Sequence, residues 1–131
     1  MAGSKTVTFM LGGMVFEYDE AKNQANIKKH GISFRSAARV FFDYDRIEMY
    51  DEEYSLEEDR YDTIGNTFSG NGTTVIGNVN RADIQVNDIL FVVYTERSRI
   101  EENGKEIEIT RLISARMATN FERGLYYGKY V

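Results

Sequence analysis

The sequence predicts an α+β fold, a twisted and mainly antiparallel sheet with two N-terminal helices and one C-terminal helix. Three observations carry this. Short strand-like stretches are separated by Gly12-Gly13 and Asn103-Gly104, which turn tightly because these residues tolerate positive φ. Asp19 and Ser33 precede runs without breakers, and each can accept hydrogen bonds from the free N–H groups of a first helical turn. Near the end, Thr119-Asn120-Phe121-Glu122 has the spacing of a capping box, in which side chains and backbone satisfy each other reciprocally.

In order, Thr6 to Met10 and Met14 to Tyr18 read as a first hairpin. Asp19 caps a helix to about His30, which Gly31 ends by taking up the left-handed conformation. Ser33 caps a second helix from Phe34 to about Phe42, with Ala37, Val40 and Phe41 on one apolar face. Arg46 to Tyr50 and Arg60 to Thr67 are strand candidates. The Asn-, Gly-, Ser- and Thr-rich segment 66–88, with Asn71-Gly72 inside it, reads as an inserted hairpin or a long loop within a single domain spanning 1–131. Ile89 to Arg97 is the most apolar run and predicts a central strand. If Asn103-Gly104 is a two-residue turn, Glu96 stands opposite Arg111, Tyr94 opposite Ile113 and Phe91 opposite Arg116. Ile107, Ile109, Ile113, Val92 and Tyr94 would then share the core face. In an unbroken strand Arg111 and Arg116, five residues apart, point to opposite faces. Both can serve one site only if the strand bulges or ends near Ser114 or Ala115.

The chain has 131 residues and no cysteine, so it can bury a core but cannot form disulfides, which fits a reducing compartment. The start, Met1 to Lys5, lacks the apolar core of a secretory signal, and the apolar stretches are strand-length, so no membrane span is expected. One His and no Cys leave zinc without a ligand set. No Gly-rich loop followed by Lys is present to cradle a nucleotide. The net charge is −5, but residues 43–62 alone hold ten acids against Arg46 and Arg60, a local −8, which leaves the remainder at +3. The run Asp51 to Asp62 lacks the glycine and ligand spacing of a calcium loop and reads as a solvated loop, or as a docking surface for a basic partner.

Four segments in order resemble the BrnT family, bacterial toxins with a RelE-like fold. They are Val15 to Glu20 followed by Lys28 to Phe34; Ala37 to Asp43; Glu58 to Gly65; and Leu90 to Arg97 continued by Arg111 to Arg116. The chain departs from the family in having Tyr18 where Trp is usual and no Pro after Asp43. The resemblance implies a cytoplasmic ribonuclease toxin of a type II toxin–antitoxin pair. It implies RNA as substrate, no cofactor or metal, and a basic, DNA-binding, BrnA-like antitoxin as partner, with which the toxin could oligomerise. A catalytically inactive protein-binding module is the alternative.

The implied chemistry is metal-free attack of a 2′-hydroxyl on the adjacent phosphorus. It needs a base, an acid and fixed positive charge. His30 or Glu96 could move the proton, and Arg111 and Arg116 could stabilise the phosphorane. Arg97, Arg60 and Lys29 could bind phosphate, and Tyr94 could stack a base or donate a proton. Each has a plainer reading. His30 suits a helix C-terminus, and Glu96 with Arg111 could be a simple cross-strand ion pair.

Overall fold

A computed structural model of the chain describes residues 4–67 and 88–128. Six strands form one sheet in the order β1-β2-β6-β5-β4-β3. They are β1 (Thr6–Leu11), β2 (Met14–Asp19), β3 (Ile47–Tyr50), β4 (Arg60–Asn66), β5 (Ile89–Ile100) and β6 (Glu106–Met117). All pairs are antiparallel except β2 with β6, which is a short parallel pairing of Phe16 with Thr110 and Glu17 with Arg111. The predicted mainly antiparallel α+β fold is therefore observed, with β5 and β6 at its centre. The expected insertion at 66–88 lies almost wholly outside the described residues.

Helix α1 (Glu20–His30) begins where the Asp19 carboxylate accepts from the Lys22 N–H and ends at Gly31, φ 72°. Beyond the parallel pairing the edge of β6 is open, and α1 fills it. The Asn26 amide donates to the Ala115 carbonyl and accepts from the Ala115 N–H, 2.9 and 3.2 Å. A buried amide is thus satisfied by a strand edge that would otherwise be unpaired. The second helix is shorter than expected. α2 (Phe34–Ala37) is capped by Ser33 and then tightens into a 3₁₀ turn, Ala38–Phe42. Asp43 ends it in extended backbone, with its carboxylate accepting from the N–H groups of Asp45 and Asn66. Ala37, Val40 and Phe41 nevertheless face the core as predicted. α3 (Asn120–Tyr126) carries both bonds of the Thr119–Glu122 capping box.

One face of the sheet is the core face. Phe9, Phe16 and Tyr18 from the first hairpin meet Phe34, Val40 and Phe41 from the helices and Leu90, Val92, Tyr94, Leu112 and Ala115 from the central strands. Rings run through it in sequence: Phe9 on Phe16 at 5.3 Å, Phe16 on Phe41 at 5.5 Å, and Phe41 on Tyr94 at 4.9 Å. Gly65 is required here, because a Cβ on it would lie 2.9 Å from the Val40 Cβ.

The long hairpin corrects the expected register. Its loop holds three residues, with the Glu101 N–H donating to the Lys105 carbonyl and Gly104 left-handed at φ 83°. Asn-Gly suits this loop as well as a two-residue one. Near the turn the pairing therefore slips by one. Glu96 faces Thr110, Arg111 faces Thr95, and Tyr94 faces Leu112 rather than Ile113. A bulge between Val93 and Tyr94 then leaves Ile113 without an opposite residue, and beyond it Phe91 faces Arg116 as expected. Because a one-residue slip reverses the faces, Leu112 and Ala115 take the core positions. Ile107, Ile109 and Ile113 fall on the other face instead.

Candidate active site

Among the described residues, α3 packs against β4 at one end of the face opposite the core. Strand alternation decides what that face carries. On β2, Phe16 and Tyr18 point into the core, so Glu17 points out on this side. Pairing then draws one row across four strands: Arg60 opposite Thr95, Thr95 opposite Arg111, Arg111 opposite Glu17. The next row is Met49, Asp62, Val93 and Ser114, and the one after it is Ile47, Ile64, Phe91 and Arg116. The bulge at Ile113 is what returns Arg116 to the side of Arg111. The condition set by the sequence for both arginines to share a site is met.

The arginines are held by carboxylates. Arg111 lies 2.7 Å from Glu17, which is only 7% exposed and is shared with Arg97 at 3.6 Å. Arg97 also donates to both oxygens of Glu58 at 3.2 Å. Arg116 forms a two-pronged pair with Glu122, 2.7 and 2.9 Å, and stacks over Phe91 at 4.2 Å. The hydrogen bonds of this pair raise the Arg116 pKa and lower that of Glu122. Among the described residues Arg60 has no ion pair. A groove of about 450 Å³ runs over Asp62, Val93, Ile113 and Arg116, and a second of about 540 Å³ over Arg97, Glu57 and Glu58. Tyr54 and Arg60 line both, so the two adjoin.

The acidic segment is largely exposed, as a solvated loop would be, with Glu52, Glu53, Glu57 and Asp59 at the surface, but it is also tied to the sheet. The β3–β4 loop closes through Asp51 N–H to the Arg60 carbonyl at 2.9 Å and is tied to β5 by the Thr95 hydroxyl donating to the Asp59 carbonyl. It forms one wall of both grooves. Asp62 lies within β4, where burial, and then the neighbouring Asp51 carboxylate, push its carboxyl up to about 6 against the pull of Arg116.

Of the eight residues picked from the sequence, the fold brings together Arg60, Arg97, Arg111 and Arg116. Tyr94 lies on the core face, 4% exposed, and donates to Glu48 at 2.7 Å; burial and that bond raise its phenol pKa far above the usual range. Glu96 projects to the same side as Tyr94, not beside Arg111. Lys29 and His30 sit in the last turn of α1, where positive charge complements the helix dipole. None of these four lines either groove; Arg111 lines neither as well, but it lies on the grooved face, in the row of Arg60 and Thr95. Glu17 and Glu122, which hold Arg111 and Arg116, were not among the residues picked, and Asp51 and Asp62 were read only as part of the acidic run. The outward placement of Glu17 was readable from the alternation of β2, and that of Asp62 from β4.

Residues 18–86 match the family described as ribonuclease toxin, BrnT, of type II toxin–antitoxin system. The chain belongs to that family. The matched BrnT segment runs from the end of β2 through β4, so it contains Arg60 and Asp62, while Arg97, Arg111 and Arg116 follow it. No curated protein matches the chain. Among the described residues no helix is long and apolar enough to cross a membrane, and no three His, Cys, Asp or Glu are grouped to hold a metal ion.

Proposed function

We propose that this BrnT chain cleaves RNA on the face of its sheet opposite the core by metal-independent attack of a 2′-hydroxyl, and that a basic antitoxin silences it by covering the same face. The observation that carries the reading is the placement of Arg60, Arg97, Arg111 and Arg116 on one face of the sheet, where Arg60, Arg97 and Arg116 line two adjoining grooves and Arg111 stands in the same row as Arg60. Guanidinium is always charged and can bond two phosphate oxygens at once, which suits a developing phosphorane. Arg60 is the group free to meet phosphate first. Tyr54, 60% exposed at the junction of the grooves, offers a ring for an unstacked base. Lys29, His30, Glu96 and Tyr94 have no part in this reading.

The test is cleavage of single-stranded RNA by purified protein. Products with 2′,3′-cyclic phosphate and 5′-hydroxyl ends are expected, at an undiminished rate in excess EDTA. Loss of activity in EDTA with recovery on adding magnesium would sink the metal-free mechanism. The pairing of Arg97, Arg111 and Arg116 with the chain's own carboxylates favours a second reading, a binding module without catalysis. A folded protein that binds antitoxin and cuts nothing would establish it.

The partner reading rests on the loop beside the groove. Glu52, Glu53 and Glu57 are exposed, and Leu56 among them is 89% exposed. Apolar contacts such as Leu56 and Tyr54 supply affinity, while the acids speed encounter with a basic segment. Changing Glu52, Glu53 and Glu57 to glutamine is expected to slow association with the antitoxin several-fold at low salt. The difference should shrink near physiological salt, where charges are screened within about 8 Å. Equal association rates at low salt would remove this loop from the interface.

A further inference from the structure

We propose that Asp62 takes the proton from the attacking 2′-hydroxyl, with Asp51 as the neighbour that keeps it able to do so. The proposal rests on the RNA-cleavage reading above and adds the group that reading lacks, since neither His30 nor Glu96 lines the groove.

Position comes first. Asp62 occupies the row between Arg60–Thr95–Arg111 and Phe91–Arg116. Same-face rows are two residues apart along each strand, about 7 Å at 3.3–3.4 Å per residue. Arg60 on the same strand and Arg116, two strands away on β6, line the same groove as Asp62, so a phosphate held there by these arginines puts an adjacent ribose hydroxyl beside the carboxyl.

Surroundings come second. Met49 on β3 and Val93 on β5 flank Asp62, and both are apolar. The charged or titratable groups around it are Asp51, Glu53 and Tyr54 from the β3–β4 loop, Arg60 on β4, Arg116 on β6 and Glu122 on α3. Asp62 Oδ1 is closed off from solvent and receives no hydrogen bond from a donor group, its polar neighbour being the Asp51 carboxyl, which can share a proton with it. Buried carboxylate oxygens are nearly always satisfied, so an unsatisfied one in the wall of a groove is an acceptor that lacks a donor. Burial and the adjacent Asp51 carboxyl bring the titration of Asp62 to about 6, near where a general base works at neutral pH.

In the step, the 2′-oxygen–phosphorus bond forms and the phosphorus–5′-oxygen bond breaks. The 2′-hydroxyl proton passes to the Asp62 carboxylate. The departing 5′-oxygen takes a proton from solvent water, and Asp62 later returns its proton to solvent.

The experiment measures cleavage of a single-stranded oligoribonucleotide against pH for the wild type, Asp62→Asn and Asp51→Asn. Wild-type kcat should rise with pH through a midpoint near 6. Asp62→Asn should lose at least about 100-fold in kcat with little change in KM, and its residual activity should lack that limb. In Asp51→Asn the midpoint should move to lower pH, because the neighbouring carboxyl that raised it is gone. Thermal unfolding checks that each variant is folded, and the Asp51→Asn shift carries the test if Asp62→Asn does not fold. An Asp62→Asn enzyme within a few-fold of wild type, or an unmoved midpoint in Asp51→Asn, would overturn the role of Asp62 alone. A folded wild type that cuts no RNA would overturn the cleavage reading and this proposal with it.

Discussion

Arg111→Ala is expected to lower kcat for RNA cleavage by about 10²–10³-fold, the usual effect of removing one preorganised donor from a developing oxyanion. Arg111 is central in its row, between Thr95 and Glu17, and its guanidinium is fixed by the 2.7 Å pair with Glu17. The cost of aiming that charge is met in the fold rather than during the reaction. Arg111→Lys should recover less than a tenth of the lost activity, because an ammonium keeps the charge but not the planar fork. Arg116→Lys should behave similarly, since it also loses the two-pronged pair with Glu122 and the stack on Phe91. The alanine variant should lose about 1–3 kcal/mol of stability, as Glu17 is left nearly buried with only the longer contact to Arg97. Cleavage rates and urea unfolding of the three variants decide this. Near-wild-type cleavage by both lysine variants would show that charge alone suffices.

What the sequence made legible was local. Gly12-Gly13, the Asp19 cap with Gly31 as stop, the Ser33 cap and the Thr119–Glu122 box each act within a few residues, and each was found where its chemistry placed it. The register of the long hairpin was not legible, because Asn103-Gly104 serves two- and three-residue loops alike. The bulge at Ile113 was not legible either, and Arg111 and Arg116 share a face because of it. The Glu17–Arg111 pair joins residues 94 apart through a parallel pairing that no local pattern encodes. Asp62 was lost in the charge of the acidic run. Composition describes that run as solvated, but β4 begins at Arg60 and draws Asp62 into the sheet.

Phe16→Ala is expected to cost about 3–5 kcal/mol, the range for emptying the place of a fully buried phenylalanine. Phe16 is 0% exposed and touches rings on two sides, Phe9 from β1 and Phe41 from the 3₁₀ turn. Neither neighbour can easily collapse into the gap. Phe9 is fixed by its own strand pairing, and Phe41 is braced against Tyr94. For a chain of this size each kcal/mol moves Tm by roughly 4 °C, so a fall of about 10–20 °C is expected. The effect should reach the other face of the sheet. Phe16 and Glu17 are consecutive on β2 and are the two residues that pair with β6. Loosening one side of that strand shifts the carboxylate that aims Arg111 and Arg97. A displacement of about 1 Å at a reacting centre can cost 10²-fold, so cleavage measured well below the variant's Tm should fall by more than its unfolded fraction explains. A Tm within a few degrees of wild type would mean the first hairpin is not held by this ring. A lower Tm with unchanged cleavage at low temperature would separate the core from the site.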